Sequence, residues 1–196
     1  HGSLLNRLRP LAPQIAGAAL ALGVEANFVR DLVRRFNWFV NTALTDNWWQ
    51  PIQIVTLGSF RVSIDGMPLK FLGKAQKRPL ELLKYLVAVR APVPFEVAAD
   101  ALWPDSDGDL AYGALEATLR RLRMLLHHPE AISRAGAKIA LNPSLCWIDA
   151  WAFEDEAARI GTHASREPEP SIDQSTRILW SAYRGHFLEN ENHQSW

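Results

Sequence analysis

Residues 109–126, DLAYGALEATLRRLRMLL, repeat their large apolar side chains with a helical period. Leu115, Leu119, Leu122 and Leu126 recur at spacings of four, three and four, the stripe that a helix buries against a core. Arg120, Arg121 and Arg123 fan out over the remaining surface, and Gly113, Ala114 and Ala117 keep the N-terminal half slim. Such a helix obliges the rest of the chain to build a core along one of its faces. It is also narrow enough to enter a major groove about 12 Å wide. An ordinary solvated amphipathic helix has the same pattern, so the surrounding sequence decides between the two.

A chain of 196 residues with 48% hydrophobic content supports a sizeable core and argues against wholesale disorder. No apolar run approaches the roughly 20 residues of a membrane span. The opening His1-Gly2-Ser3 has no initiator Met and reads as a tag remnant, so an excised piece of a larger protein is expected. The single cysteine, Cys146, rules out an internal disulfide and suits a reducing, cytoplasmic compartment. Net charge is zero, but its distribution is uneven. Residues 1–52 carry 5 basic and 3 acidic side chains, residues 53–150 carry 12 and 10, and residues 151–196 carry 4 and 8. Any nucleic-acid affinity therefore comes from locally placed arginines rather than from bulk charge.

The chain opens with two short helices. Residues 11–22 are alanine-rich and stop at Gly23, and residues 25–36 set Phe28, Leu32, Val33 and Phe36 on one face. Residues 37–51, with Trp38, Trp48 and Trp49, read as an aromatic connector packed on a neighbour. From Ile52 the period changes to two. Residues 53–57 and 60–64 alternate as strands, Asp65-Gly66 is a hairpin turn signal, and residues 67–71 make a short third strand, giving a small antiparallel sheet. Residues 76–90 predict a helix with Pro79 in its first turn and Leu80, Leu83, Leu86 and Val87 on its buried side. The residues from Pro92 to Pro94 break the chain. Residues 95–103 are a second helix and residues 109–126 a third. Residues 131–141 read as a hairpin turning near Ala135-Gly136, followed by a strand at residues 146–148. A helix over 150–160, a loop over 161–170 and a helix over 171–183 with a Ser cap complete the pattern. Sheet, three helices, hairpin is the order of a winged helix with an added N-terminal sheet. The fold class is thus α+β, mainly α: a winged helix-turn-helix with an N-terminal antiparallel sheet and flanking helices at both ends.

Several runs resemble OmpR-type DNA-binding domains. They are Leu57-Gly58-Ser59-Phe60-Arg61-Val62, Gly66-Met67-Pro68-Leu69, Lys77-Arg78-Pro79-Leu80-Glu81-Leu82-Leu83, and Ala101-Leu102-Trp103-Pro104 with Ala114-Leu115 and Leu119-Arg120-Arg121-Leu122-Arg123. The chain is most similar in flavour to the winged helix joined to a bacterial transcriptional activation domain, as in antibiotic regulatory proteins. The run Tyr183-Arg184-Gly185, then Phe187-Leu188, resembles the early part of such an activation domain. Ala21-Leu22-Gly23-Val24-Glu25 with Val29-Arg30 resembles the end of the helical-repeat region in MalT-like signalling ATPases. The division expected is a tag remnant at 1–3, a helical segment and connector at 4–51, the DNA-binding domain at 52–149, and a truncated activation domain at 150–196.

The resemblance implies that the third helix lies in the major groove and that Arg121 is its base-contacting arginine, able to donate two bonds to guanine O6 and N7. Ala117, Glu116 and Ala114 fall near the same surface; Ala117 suits a thymine methyl and Glu116 a cytosine amine. Arg120, Thr118 and Gly113 are placed for phosphates, which set register rather than sequence. Arg123 either touches DNA or packs back onto the domain. The hairpin with Arg134 and Lys138 would be the wing, its cations reaching an adjacent minor groove. With about four or five phosphate contacts, one copy binds weakly and salt-sensitively, so either a homodimer on tandem half-sites or avidity supplied by a larger parent protein is expected. The loop at 105–109 would touch RNA polymerase, and activation of transcription is the implied outcome.

Two other patterns lead elsewhere. Asp105, Asp107 and Asp109 are spaced like a calcium loop, but the sixth position is Leu110 instead of Gly and the twelfth, Glu116, lies inside the third helix. Their expected role is a loop and N-cap. His127, His128 and Cys146 lack the spacing of a metal site. No nucleophile–base set, phosphate loop or paired carboxylate stands out, so neither enzymatic activity nor a cofactor is expected. Sequence-specific binding of double-stranded DNA is the leading reading. The alternatives are a winged-helix interaction module whose basic face binds RNA polymerase or a partner domain, and a dimerising helical segment of a signalling ATPase.

Overall fold

A computed structural model describes residues 12–36, 50–70, 77–163, 180 and 183–189. Its elements, in chain order, are α1 (Ala12–Ala21), α2 (Ala26–Phe36), β1 (Ile52–Val55), β2 (Arg61–Ile64), β3 (Met67–Pro68) and α3 (Lys77–Val89). Then come β4 (Val93–Pro94), α4 (Phe95–Leu102), α5 (Gly108–Leu125), β5 (Ile132–Ala135), β6 (Lys138–Leu141), β7 (Cys146–Ile148) and α6 (Asp149–His163). The aromatic connector at 37–49, Phe71, Gln76 and most of the helix expected over 171–183 lie outside the described residues.

Alternation builds the front sheet. Ile52, Ile54, Val62 and Ile64 are buried while Gln53 and Ser63 are only partly covered, the period of two expected for strands with one face on a core. Asp65 and Gly66 both take positive φ, +50° and +81°, as a type I′ turn requires. The sheet is not purely antiparallel, however. β7 pairs parallel with β1, Ile52 opposite Cys146 and Ile54 opposite Ile148, giving the order β3-β2-β1-β7. The three central helices and the wing thus lie between two strands that meet side by side. No local signal announces that pairing, since it joins segments more than 90 residues apart.

The helical layer follows the predicted stripe. Leu115, Leu119, Leu122 and Leu126 are all buried, in one core with Leu82, Leu83, Leu86 and Val87 of α3 and Phe95, Ala98, Ala99 and Leu102 of α4. Leu80 is only partly buried, and Leu82 and Tyr85 take part in the core instead. α3 is covered on more than one side, with Phe60 and Trp151 packing on the same cluster; Trp151 donates its ring N–H to the Val87 carbonyl at 2.9 Å.

Pro92 to Pro94 does more than interrupt the chain. Val93 and Pro94 form an edge strand on β6, where a missing N–H is tolerated, so the wing sheet has three strands in the order β4-β6-β5. Its hairpin turns through Gly136 at φ +60° and Ala137. α6 runs on through His163, past the loop expected from Gly161.

α1 and α2 share a small core of their own: Ala16, Leu20, Val29 and Val33. α1 closes in a Schellman motif, with Val24 N–H bonded to Ala19 O at 2.9 Å and Gly23 N–H to Leu20 O at 3.1 Å. The face expected for α2 is corrected at Phe28, which is 61% exposed. α1 seats on the Val29–Val33 side, where Ala19 and Ala26 admit close approach. Among the described residues, no helix is long and apolar enough to cross a membrane.

Candidate nucleic-acid interface

The surface of α5 divides into sectors that follow from a turn of about 100° per residue. Ala111, Leu115, Thr118, Leu119 and Leu122 face inward. Gly113, Ala117, Arg120 and Arg121 face outward and are exposed, with Ala114 partly covered beside them. Leu110 and Met124 stand on the same outward face, 71% and 68% exposed. Between outward and inward faces, on one flank, lie Tyr112, Glu116 and Arg123, spaced by four and seven residues.

That flank is occupied by the wing. Arg123 donates from Nη2 to the Ile132 carbonyl of β5 at 2.9 Å, and its buried Nε has no partner among the described residues. Arg134, on β5, donates to Tyr112 Oη at 3.2 Å and to Glu116 Oε1 at 3.4 Å. Its guanidinium also lies 4.9 Å from the ring centroid of Phe95, on which Tyr112 packs with ring centroids 4.5 Å apart. These contacts bear on three sequence expectations. Thr118 is only 3% exposed, on the core face of α5, and has little surface to offer a phosphate. Arg123 packs back onto the domain. Arg134 sits within a strand and against α5, not at the wing tip, which is formed by Gly136 and Ala137; exposed Lys138 follows the tip.

The loop before α5 and its first turn are exposed throughout residues 104–110, and the loop expected over 105–109 ends at Asp107, with Asp109 already in the helix. Asp107 holds the N-cap position but makes no side-chain capping bond, which corrects the capping role expected there. Ser106 N–H bonds back to Trp103 O at 3.1 Å, and Trp103 in turn lies 5.4 Å beneath the Arg78 guanidinium. At the other end of α5, His127 takes φ +56° just past the helix, and His128 Nε2 lies 3.7 Å from Asp65 Oδ2. Among the described residues, no group of three His, Cys, Asp or Glu is placed to hold a metal ion.

Three sets of contacts elsewhere in the domain lay beyond sequence reading. Asp149, buried at the start of α6, accepts from Thr56 N at 2.7 Å, Thr56 Oγ1 at 2.8 Å, Leu57 N at 2.9 Å and its neighbour Ala150 N at 2.8 Å. Its carboxylate ties the end of β1 to the start of α6. The Tyr-Arg-Gly-x-Phe-Leu run then docks on the same turn: Gly58 N–H bonds to His186 O at 2.9 Å, and Leu188 N–H to Thr56 O at 2.7 Å. Arg90 lies 5.6 Å from the centroid of the Trp151 ring and pairs with Glu154 at 2.6 Å and with Asp155. The Asp155 hydrogen bond, aided by Glu154, pushes the guanidinium above its ordinary value.

This is the architecture of a winged helix: three helices, the last with an exposed outward face, flanked by a β-hairpin. A solved structure of EmbR from Mycobacterium tuberculosis, in complex with a low-affinity phosphopeptide, is similar to it with a TM-score of 0.56 at 18% sequence identity. The match covers 72% of this chain and 38% of that one, so the chain spans well under half of that protein's length. At this identity the likeness is one of fold. No family model matches the chain, and no curated protein does.

Proposed function

We propose that residues 52–149 bind double-stranded DNA sequence-specifically, as the winged-helix domain of a bacterial transcription regulator acting in the cytoplasm. The observation that carries this reading is the outward face of α5. It sets two exposed arginines, Arg120 and Arg121, beside the slim surface of Gly113, Ala114 and Ala117, next to a wing bearing exposed Lys138. Arg121 reads guanine, Ala117 meets a thymine methyl, Arg120 and the Gly113 backbone hold phosphates, and Lys138 approaches the adjacent minor groove. The EmbR-like fold and the OmpR-type sequence runs support it. Residues 4–51 are then a helical segment preceding the domain, and residues 150–196 the start of a helical activation domain. The exposed loop with Asp105 and Asp107, continued by Asp109 in the first turn of α5, is the surface offered to RNA polymerase, and two copies occupy tandem half-sites. Nothing in this reading calls for catalysis.

Selection from a random duplex library at two salt concentrations tests it. Arg121→Ala is expected to change the preference at one base position and to cost about 1–3 kcal/mol of specific binding. Arg120→Ala is expected to weaken all sequences alike and to lower the salt slope by about one. If neither variant differs from the parent chain, the α5 assignment fails.

The second reading, a protein-binding module, draws on Leu110 and Met124. Two large apolar side chains exposed on the same face as the arginines suit a partner protein as well as a groove. Binding to a partner that is abolished by Met124→Asp, with DNA binding absent, would favour it.

A further inference from the structure

We propose that Arg134 is a positioning residue for base readout by Glu116, an inference that rests on the DNA-binding reading above. A carboxylate on the flank of a recognition helix, beside its groove-facing surface, meets repulsion from the phosphates unless a cation answers it. Here the answering cation is built in. Arg134 reaches across from β5 and donates to Glu116 Oε1 at 3.4 Å. Its planar guanidinium is held by more than that ion pair, for it donates to Tyr112 Oη at 3.2 Å and stacks over the buried Phe95 ring at 4.9 Å. Phe95 and Tyr112 are themselves in ring contact, so the plate beneath the guanidinium joins α4 to α5.

The arrangement assigns different tasks to the two oxygens of Glu116. Oε1 faces Arg134, which both neutralises the carboxylate and limits its rotation. The other oxygen has no partner among the described residues. The Glu116 side chain is 52% exposed, so that oxygen is available to accept from a base-edge amine. In the major groove the matching donor is the N4 amine of cytosine. Lysine at position 134 would keep the charge but lack the planar fork and the ring stacking.

The test uses the 196-residue chain and the duplex selected by it, with every single-base change of that duplex, comparing Glu116→Gln, Arg134→Ala, Arg134→Lys and the double variant Glu116→Gln/Arg134→Ala. Circular dichroism establishes that each variant is folded. Glu116→Gln and Arg134→Ala are each expected to lose about tenfold in preference for cytosine, at the same single position. The double variant should lose no more, because both changes break one interaction. Arg134→Lys, which keeps the charge, should still lose that preference. Arg134→Ala weakening all duplexes equally, with the preference intact, would mark Arg134 as a plain phosphate contact and overturn the proposal. So would a preference lost at a different position, or no change. Should Arg134→Ala not fold, Glu116→Gln against Arg134→Lys decides alone. A parent chain that enriches no motif sinks the DNA-binding reading, and this inference with it.

Discussion

Asp149 and Cys146 show how much depends on single buried groups close to a sheet edge. The Asp149 carboxylate satisfies three backbone N–H groups and one hydroxyl at the junction of β1 and α6. Removing it leaves those donors in a place that water reaches poorly, which costs far more than the net worth of any one bond. Asp149→Ala is expected to lower the unfolding free energy by about 3 kcal/mol, read from urea denaturation. Cys146 lies in β7, where burial pushes its thiol up from the ordinary 9.0 to about 12. The unfolded chain therefore loses that proton before the folded chain does, and stability falls as pH rises from about 9 toward about 12. Stability measured across that range should fall less steeply in Cys146→Ala than in the parent chain.

α5 is the element whose sequence was most readable and also the one where reading stopped short. Its four leucines repeat with a period that only a helix satisfies, and all four are buried. Leu122→Ala, which empties a site in the middle of the core, is expected to cost about 2–5 kcal/mol in the same denaturation assay. The polar side is another matter. Periodicity says which residues face away from the core, but not what stands beside the helix. What Glu116 and Arg123 touch is set by the wing strand β5, which begins sixteen and nine residues after them. The spacing of Tyr112, Glu116 and Arg123 was a visible signal of one shared flank; only β5 showed what that flank touches. The resemblance places Thr118 toward a phosphate, whereas a short β-branched residue also fits a core between leucines. The same limit explains Phe28, placed inward by α2's own period and left exposed because α1 packs on the neighbouring side.

Across the whole molecule, the described residues between β1 and β7 close on themselves, and the C-terminal run at 183–189 is clasped to that body at Gly58. Gly58 holds φ +88°, and a Cβ there would lie 3.0 Å from the Arg184 carbonyl oxygen. Gly58→Ala is expected to cost about 2 kcal/mol through the strained φ and the close approach. Hydrogen exchange gives the sharper readout: the Leu188 amide, bonded to Thr56 O, should exchange faster than in the parent chain while amides of α5 change less. Equal acceleration everywhere would mean that the clasp is not a local unit.

Sequence alone determined the order of the three central helices and the two hairpins around them, the I′ turn at Asp65-Gly66, the leucine stripe of α5 and the winged-helix class. Each of these is governed by neighbours within a few residues, through helical or strand periodicity and the φ preferences of turn residues. Tertiary structure alone decided that β7 joins β1 in parallel, that Asp149 caps the end of β1, and that the wing takes Arg123 and Arg134 onto the flank of α5. Those contacts join residues from nine to more than ninety positions apart, and their partners are chosen by which surfaces remain uncovered once the core has closed. No local pattern carries that information.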